Sequence, residues 1–352
     1  MASKRIEYID ALRGFTMYLV VYSHIWTFGY QTYTNSSFIH ILTNFFLEMF
    51  FFISGFVAYK DKFDWSFTNT TRLLRTKAIQ LLCPTIIFCS LFCWWGGYGV
   101  DSAISPSNAG YWFTLHLFYF YVFYSITSLI SSKIKGIKFE FILILIALLI
   151  YGISYSHEII EKTQFGADIF HYLGMKNWRY YIFFCLGVFI RINFNAFIKI
   201  TDQPWWMALF ILGFFGMIFY ADKITIPMWK PLNMIIYGGL SIVIIFTFFR
   251  KYENAFLKTR RLGYVMQYIG KRTMDIYMIH YFLLPRNLNP LGEVLAENPN
   301  PSIEFFVTTA IAFMVILLSL IVGNIIRLSP LLSLFLLGEK SQKSQSKCHN
   351  LA

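Results

Sequence analysis

The feature that most constrains this chain is a series of long apolar stretches that recur along its whole length. We find about ten stretches close to the roughly 20 apolar residues that an α-helix needs to cross a bilayer. They lie at 9–28, 38–59, 78–100, 111–132, 139–156, 180–197, 204–221, 228–249, 264–285 and 303–327. The sequence therefore predicts an all-α, polytopic membrane protein with about ten transmembrane helices.

The composition agrees with a membrane protein and excludes a soluble enzyme. Of the 352 residues, 57% are hydrophobic and only 14% are charged, whereas soluble globular chains carry about 25% charged residues. The net charge of +12 is not taken as a sign of nucleic-acid binding, because most Lys and Arg residues fall in alternate loops. Cytoplasmic loops of membrane proteins carry such an excess. We therefore predict that both termini are cytoplasmic and that nucleic acid is not a partner.

The chain is expected to form one transmembrane domain over residues 1–338, followed by a polar cytoplasmic tail at 339–352. The first apolar stretch is predicted to be a retained helix and not a cleaved signal, because Asp10 and Arg13 interrupt its start. The five cysteines have no metal-type spacing with histidine, so we interpret them as packing residues and expect no metal site. They are Cys83, Cys89, Cys93, Cys185 and Cys348.

Ionisable side chains inside predicted spans are candidates for function, because lipid excludes them. Arg13 and His24 lie eleven positions apart in the first span, which places them on one helix face about 16 Å apart along the axis. Glu48 lies among phenylalanines in the second span and must be protonated or paired. His24 or Arg13 is its expected partner. A structural reading stays open, in which Arg13 reaches inner headgroups and His24 makes an interhelical hydrogen bond.

Two later spans carry further polar groups. The ninth contains Asp275 and, toward its outer end, His280. A purely structural ion pair of Asp275 with Lys271 or Arg272 stays open. The fourth begins with Trp112, an expected member of the interfacial aromatic belt, and His116 follows one turn further in.

Three motifs in this order resemble the membrane-bound acyltransferase family 3. They are the string Tyr8–Ile9–Asp10–Ala11–Leu12–Arg13–Gly14–Phe15, the ten residues between Arg13 and His24, and the string Phe50–Phe51–Phe52–Ile53–Ser54–Gly55–Phe56. Glu48 stands where the family often has an aspartate. Further matches are Arg72 and Arg75 ahead of Pro84, the pair Trp112–Phe113, and the segment from Ile269 to His280.

The resemblance implies an enzyme of the bacterial inner membrane. Such an enzyme takes an acyl group, usually acetyl from acetyl-CoA, on the cytoplasmic side and transfers it to a hydroxyl of a surface or exported glycan. The implied partners are acyl-CoA, a glycan or lipid-linked sugar acceptor, and membrane lipids.

This reaction needs a base for the acceptor hydroxyl, a hydrogen-bond donor for the developing oxyanion, and groups that hold the CoA phosphates. His24 is the expected general base or acyl relay, Glu48 its orienting acid, and Arg13 a group for the pantetheine or diphosphate end of CoA. Direct transfer and an acyl-enzyme both remain open. Five cations are candidates to bind the CoA phosphates: Arg72, Arg75, Lys77, Arg260 and Arg261. The alternative is that they only contribute to the positive charge of cytoplasmic loops. Four residues are expected on the acceptor side: His280, Trp112, His116 and Tyr277. The alternative is that they belong to a belt of residues at the membrane–water interface.

Two other functions stay open at this point. A transporter or flippase of lipid-linked sugars would use Arg13, Glu48 and Asp275 to line a substrate or proton path. A non-catalytic scaffold would leave these buried charges without a role.

Overall fold

The computed structural model describes residues 6–30, 45–97, 110–134, 136–156, 163–220, 229–297 and 300–339. Over these ranges the chain contains helices and no strand, which confirms the predicted all-α, polytopic class. The α-helices are α1 Glu7–His24, α2 Phe46–Ala58, α3 Phe67–Gly96, α4 Trp112–Lys133, α5 Phe139–Tyr155, α6 Gln164–Tyr172, α7 Tyr181–Ile192, α8 Phe194–Thr201, α9 Pro204–Tyr220, α10 Trp229–Lys251, α11 Arg261–Lys271, α12 Thr273–Leu283, α13 Asn289–Glu297, α14 Pro301–Ile326 and α15 Pro330–Leu337.

Within the described residues, each predicted span falls on one helix or on a pair of helices, while residues 38–44 of the second span lie outside them. By length and composition, four helices of the described chain can cross a membrane, namely Phe67–Gly96, Trp112–Lys133, Pro231–Lys251 and Pro301–Ile326. Met175–Ile192 and Phe194–Thr201, bent by 92°, make a fifth span if they are counted as one. The total of ten spans and the cytoplasmic termini stay predictions, and the tail beyond residue 339 lies outside the described residues.

The ninth predicted span is divided into two helices. α11 ends at Lys271 and α12 begins at Thr273, while Arg272 between them has φ −115° and ψ 20°. The sixth span bends in a similar way at Asn193, with φ −99° and ψ 32°. Apolar residues continue past both points, so hydrophobicity alone predicted unbroken helices.

The chain forms two compact units. One consists of Met1–Tyr59 with Leu186–Ser319, and the other of Lys60–Cys185 with Leu320–Ala352. His24, His280, Arg13 and Glu48 belong to the first unit.

Glycines bring the main chains of helices in the first unit into direct contact. A Cβ added to Gly14 of α1 would lie 2.0 Å from the carbonyl oxygen of Met266 in α11. A Cβ on Gly187 of α7 would lie 2.1 Å from the carbonyl oxygen of Phe52 in α2. Small residues permit such close packing between membrane helices, and here they fix α1 against α11.

The second unit is joined by buried hydroxyls and apolar side chains. The hydroxyls of Thr85 in α3 and Thr114 in α4 are hydrogen-bonded to each other. Of the cysteines that the structure describes, Cys89, Cys93 and Cys185 are buried and Cys83 is half-buried, and all four are free thiols. This agrees with their interpretation as packing residues, whereas Cys348 lies outside the described residues.

Candidate active site

His24 lies at the last position of α1, where the helix changes its hydrogen-bonding pattern. A π-helical turn, Ile25–Gly29, follows directly, and the N–H of Tyr30 donates to the carbonyl of Ile25 over 3.2 Å. Such turns are rare and occur frequently at functional sites. The turn therefore indicates a functional position at His24, and this indication does not depend on the ionisable residues of the sequence.

The ring of His24 is hydrogen-bonded to a second histidine. Its Nδ1 lies 2.8 Å from Nε2 of His280 on α12, and the two rings are inclined by only 12°. Nδ1 of His280 donates to the main-chain carbonyl of Ile276 over 2.8 Å. His280 is fully buried and His24 is half-buried, so this histidine pair extends from the interior toward the surface of the unit.

Aromatic rings border the histidine pair. The ring centroid of Tyr281 lies 5.1 Å from that of His24 and 4.1 Å from that of His280. Phe28, from the π-helical turn, meets His24 edge-on at 5.5 Å and is 45% exposed. Aromatic rings of Phe28 and Tyr281 thus contact the imidazole of His24.

The partner of His24 differs from the one expected from the sequence. Glu48 was expected to orient the imidazole, but the hydrogen bond on Nδ1 comes from His280, which was expected on the acceptor side. Glu48 is buried in the first turn of α2 and lies within electrostatic range of Tyr237 on α10. The observed geometry assigns the orienting contact to His280 instead of Glu48.

Arg13, three turns before His24 on α1, belongs to a charged cluster. Asp10 is buried, and its carboxylate oxygens lie 3.8 Å from Nη1 of Arg13 and 4.0 Å from Nζ of Lys271. Two cations thus lie near one buried carboxylate. Asp275 has a separate ion pair with Arg272, at 3.6 Å.

The start of α1 is attached to the segment before α11. The carboxylate of Glu7 accepts hydrogen bonds from the main-chain N–H of Lys258 at 2.8 Å and from Nε2 of Gln267 at 3.0 Å. These bonds, first that from Lys258, lower the pKa of Glu7 below its usual value. Arg260 and Arg261 are exposed at the N-terminus of α11, where the helix dipole favours anions.

Comparison with models of known protein families gives a match over nearly the whole chain. A family model described as an acyltransferase domain, that of acyltransferase family 3, matches residues 6–332. The chain belongs to this family. It is a membrane-integral acyltransferase. No curated protein and no solved structure matches it.

The remaining candidate residues of the acyltransferase lie in its second unit. Arg72 and Arg75 are exposed on α3, and Nζ of Lys77 lies 4.5 Å from the ring centroid of Tyr121. The ring of Trp112 stacks on Tyr180 at 5.7 Å. These positions agree with either a binding role or an interfacial one.

His116 is held firmly inside the second unit of the acyltransferase. It is fully buried, with Nδ1 2.7 Å from the carbonyl of Trp112 and Nε2 2.9 Å from the carbonyl of Gly174. Both ring nitrogens therefore face main-chain carbonyl oxygens, and a neutral ring, which has a single N–H, donates to one of them. This arrangement joins α4 to the turn before Met175–Tyr180 and leaves neither nitrogen for an acceptor sugar.

Sequence reasoning missed three parts of the site: the π-helical turn, the direct contact between the histidines, and the role of Asp10. Asp10 was noted only as an interruption of the first stretch, although a carboxylate three residues before Arg13 is one helical turn away. That spacing was a usable signal. Among the described residues, no group of three or more His, Cys, Asp or Glu side chains is placed to hold a metal ion.

Proposed function

We propose that this acyltransferase moves an acyl group, acetyl in the simplest case, from cytoplasmic acetyl-CoA to a hydroxyl of a cell-surface or exported glycan. The proposed location is the bacterial inner membrane. The observation that carries the proposal is the histidine pair, because a half-buried imidazole with a fixed partner is suited to general-base catalysis near neutral pH.

His24 would handle the proton of the acceptor. As the sugar oxygen forms a bond to the thioester carbonyl carbon, the imidazole takes the hydroxyl proton. The bond between that carbon and sulfur then breaks, and the CoA thiolate leaves and receives the proton from His24. In an acyl-enzyme route the imidazole nitrogen attacks the thioester carbonyl carbon first, the C–S bond breaks and the CoA thiolate leaves. The sugar oxygen then bonds to the acyl carbon, the C–N bond to His24 breaks, and the hydroxyl proton passes to the thiolate.

The proposed contacts to the acyl donor are cationic side chains. In the first unit, Arg13 would hold the pantetheine or diphosphate end of CoA, since Asp10 already fixes its position. Arg260 and Arg261 would contact phosphate oxygens at the start of α11, where guanidinium groups and free N–H groups act together. From the sequence, Arg72, Arg75 and Lys77 of the second unit stay proposed contacts for CoA phosphates.

On the acceptor side, the geometry favours aromatic side chains over histidines. His280 is occupied by His24, and His116 by carbonyl groups. We therefore propose Phe28 as an additional acceptor contact, because it is exposed beside His24 and an aromatic face can stack on a sugar ring. Tyr277 of the first unit remains a proposed acceptor residue, and Trp112 of the second unit stays one from the sequence alone. Membrane lipids would surround the apolar helices.

The test combines cells with purified protein. Replacing His24 by Ala is expected to remove acyl groups from the surface polysaccharide while the protein is still inserted, as shown by compositional analysis and immunoblotting of membranes. The matched control is His171→Ala, an exposed histidine on α6, which should keep acylation. Unchanged acylation in the His24 variant would contradict the proposal.

Purified protein in lipid nanodiscs separates an enzyme from a transporter. The proposal expects release of CoA thiol from acetyl-CoA, with acetyl transferred to water or to added glycan. A wild-type protein that neither cleaves nor transfers acetyl, yet moves lipid-linked sugar across a vesicle, would identify a flippase instead.

A further inference from the structure

We infer that His280 is a positioning residue that holds His24 in the tautomer with its proton on Nδ1, so that Nε2 is the reacting nitrogen. This inference rests on the proposed role of His24 in acyl transfer. It names the atom that reacts and the group that selects it.

The argument starts at the carbonyl of Ile276. A carbonyl oxygen only accepts hydrogen bonds, so Nδ1 of His280, at 2.8 Å, must carry a proton. A neutral imidazole has a single N–H. Nε2 of His280 therefore has a lone pair and acts as an acceptor.

The second step concerns His24. Its Nδ1 lies 2.8 Å from the acceptor Nε2 of His280 and must donate the proton in that bond. In neutral His24 the other nitrogen, Nε2, then keeps its lone pair. The hydrogen bonds thus run in one direction, from His24 to His280 to Ile276.

The neutral state of the pair follows from its surroundings. His280 is fully buried, and its ring lies 4.1 Å from the ring of Tyr281. A charge on this ring would be costly without an anionic partner, because burial removes its hydration. The direction of the bonds is also fixed by the fold, since Ile276 and His280 are one turn apart in α12 and the carbonyl cannot rotate independently.

In this arrangement the neutral His280 orients His24 and stabilises its imidazolium form, as a carboxylate does in a catalytic triad. When Nε2 of His24 takes the proton of the acceptor, the bond from Nδ1 to His280 becomes charge-assisted and stronger. The imidazolium is then stabilised at the moment it forms. Glu48 is not required for this orientation.

Two variants distinguish an acceptor from a packing group. In His280→Gln, the amide oxygen can accept from Nδ1 of His24, whereas in His280→Phe a ring is kept and the acceptor is lost. We expect His280→Phe to lower kcat about 100-fold, within the range for acid–base catalysis, with KM for acetyl-CoA nearly unchanged. His280→Gln should recover most of this loss. Equal losses in both variants, or no loss in either, would overturn the inference.

A second measurement reads the tautomer without activity. In protein with ¹⁵N-labelled histidine, solid-state NMR should show His24 with a protonated Nδ1 and an unprotonated Nε2, assigned by the loss of its signals in His24→Ala. In His280→Phe these signals should change toward the opposite tautomer. A wild-type His24 protonated at Nε2 would contradict the inference even in an active enzyme. Absence of acyl transfer with the inferred tautomer would instead contradict the proposed function.

Discussion

Gly270 of α11 lies directly against the main chain of Asp10 in α1. A Cβ at position 270 would be 1.8 Å from the carbonyl oxygen of Asp10, and one at Gly14 would be 2.0 Å from the carbonyl oxygen of Met266. Because the obstacles are main-chain atoms, rotation of a side chain cannot relieve them. This contact places Lys271 beside the carboxylate of Asp10.

Replacing Gly14 by Ala should therefore force α1 and α11 apart. We expect the free energy of unfolding to fall by about 1–3 kcal/mol, the usual range for overpacking, and thermal unfolding in detergent should show it. The control is Gly216→Ala on α9, where a Cβ meets nothing within 4 Å. Equal melting temperatures for the two variants would show that the contact is not tight.

The contact of Phe28 with His24 predicts a change in acceptor binding. Phe28→Ala should raise KM for the glycan acceptor about fivefold, consistent with loss of an aromatic contact, with KM for acetyl-CoA unchanged. Phe215→Ala is the matched control, since Phe215 on α9 is similarly exposed, at 49% against 45%. If both variants bind the acceptor like the wild type, Phe28 belongs to the lipid-facing surface.

The position of Arg260 and Arg261 at the start of α11 predicts a change in donor binding. Arg261→Ala should raise KM for acetyl-CoA about tenfold, as expected for one hydrogen bond to a charged group. Lys199→Ala on α8 removes an exposed cation that is also predicted to lie on the cytoplasmic side, and it should have no such effect. A similar increase in both variants would indicate a general charge effect.

The hydrogen bonds of Glu7 predict a pH-dependent stability. The pKa of Glu7 is lowered in the folded protein, so its contribution is complete above the pKa of the unfolded chain and is lost as the pH falls through the folded value. The wild type should therefore melt at a higher temperature than Glu7→Gln at neutral pH, and the difference should shrink on acidification.

The control for acidification is Glu293→Gln, which replaces an exposed carboxylate on α13. Its melting temperature should follow that of the wild type at each pH. A difference between the wild type and Glu7→Gln that stays constant with pH would show that Glu7 does not ionise as the hydrogen bonds require.

The helices and most of the charged candidate residues could be identified from the sequence. A bilayer requires long apolar helices, so an ionisable residue within one is conspicuous. Arg13, His24 and Glu48 stand out in apolar stretches, and helical spacing alone places the first two on one face. The pairing of His24 with His280 is different, since it depends on how α12 is directed after the break at Arg272. The pattern of hydrophobic residues does not predict that direction. The π-helical turn could not be predicted either, because no Gly or Pro stands at its start.

The two histidines of the pair are separated by 256 positions in the chain. At about 5–20 residues per second, His24 is synthesised roughly 10 to 50 seconds before His280. During that time α1 lacks the partner of its imidazole, and for most of it α1 also lacks the glycines and cations of α11. The histidine pair is therefore a late product of biosynthesis, and ribosome-bound chains that end before α12 lack it however well α1 is inserted.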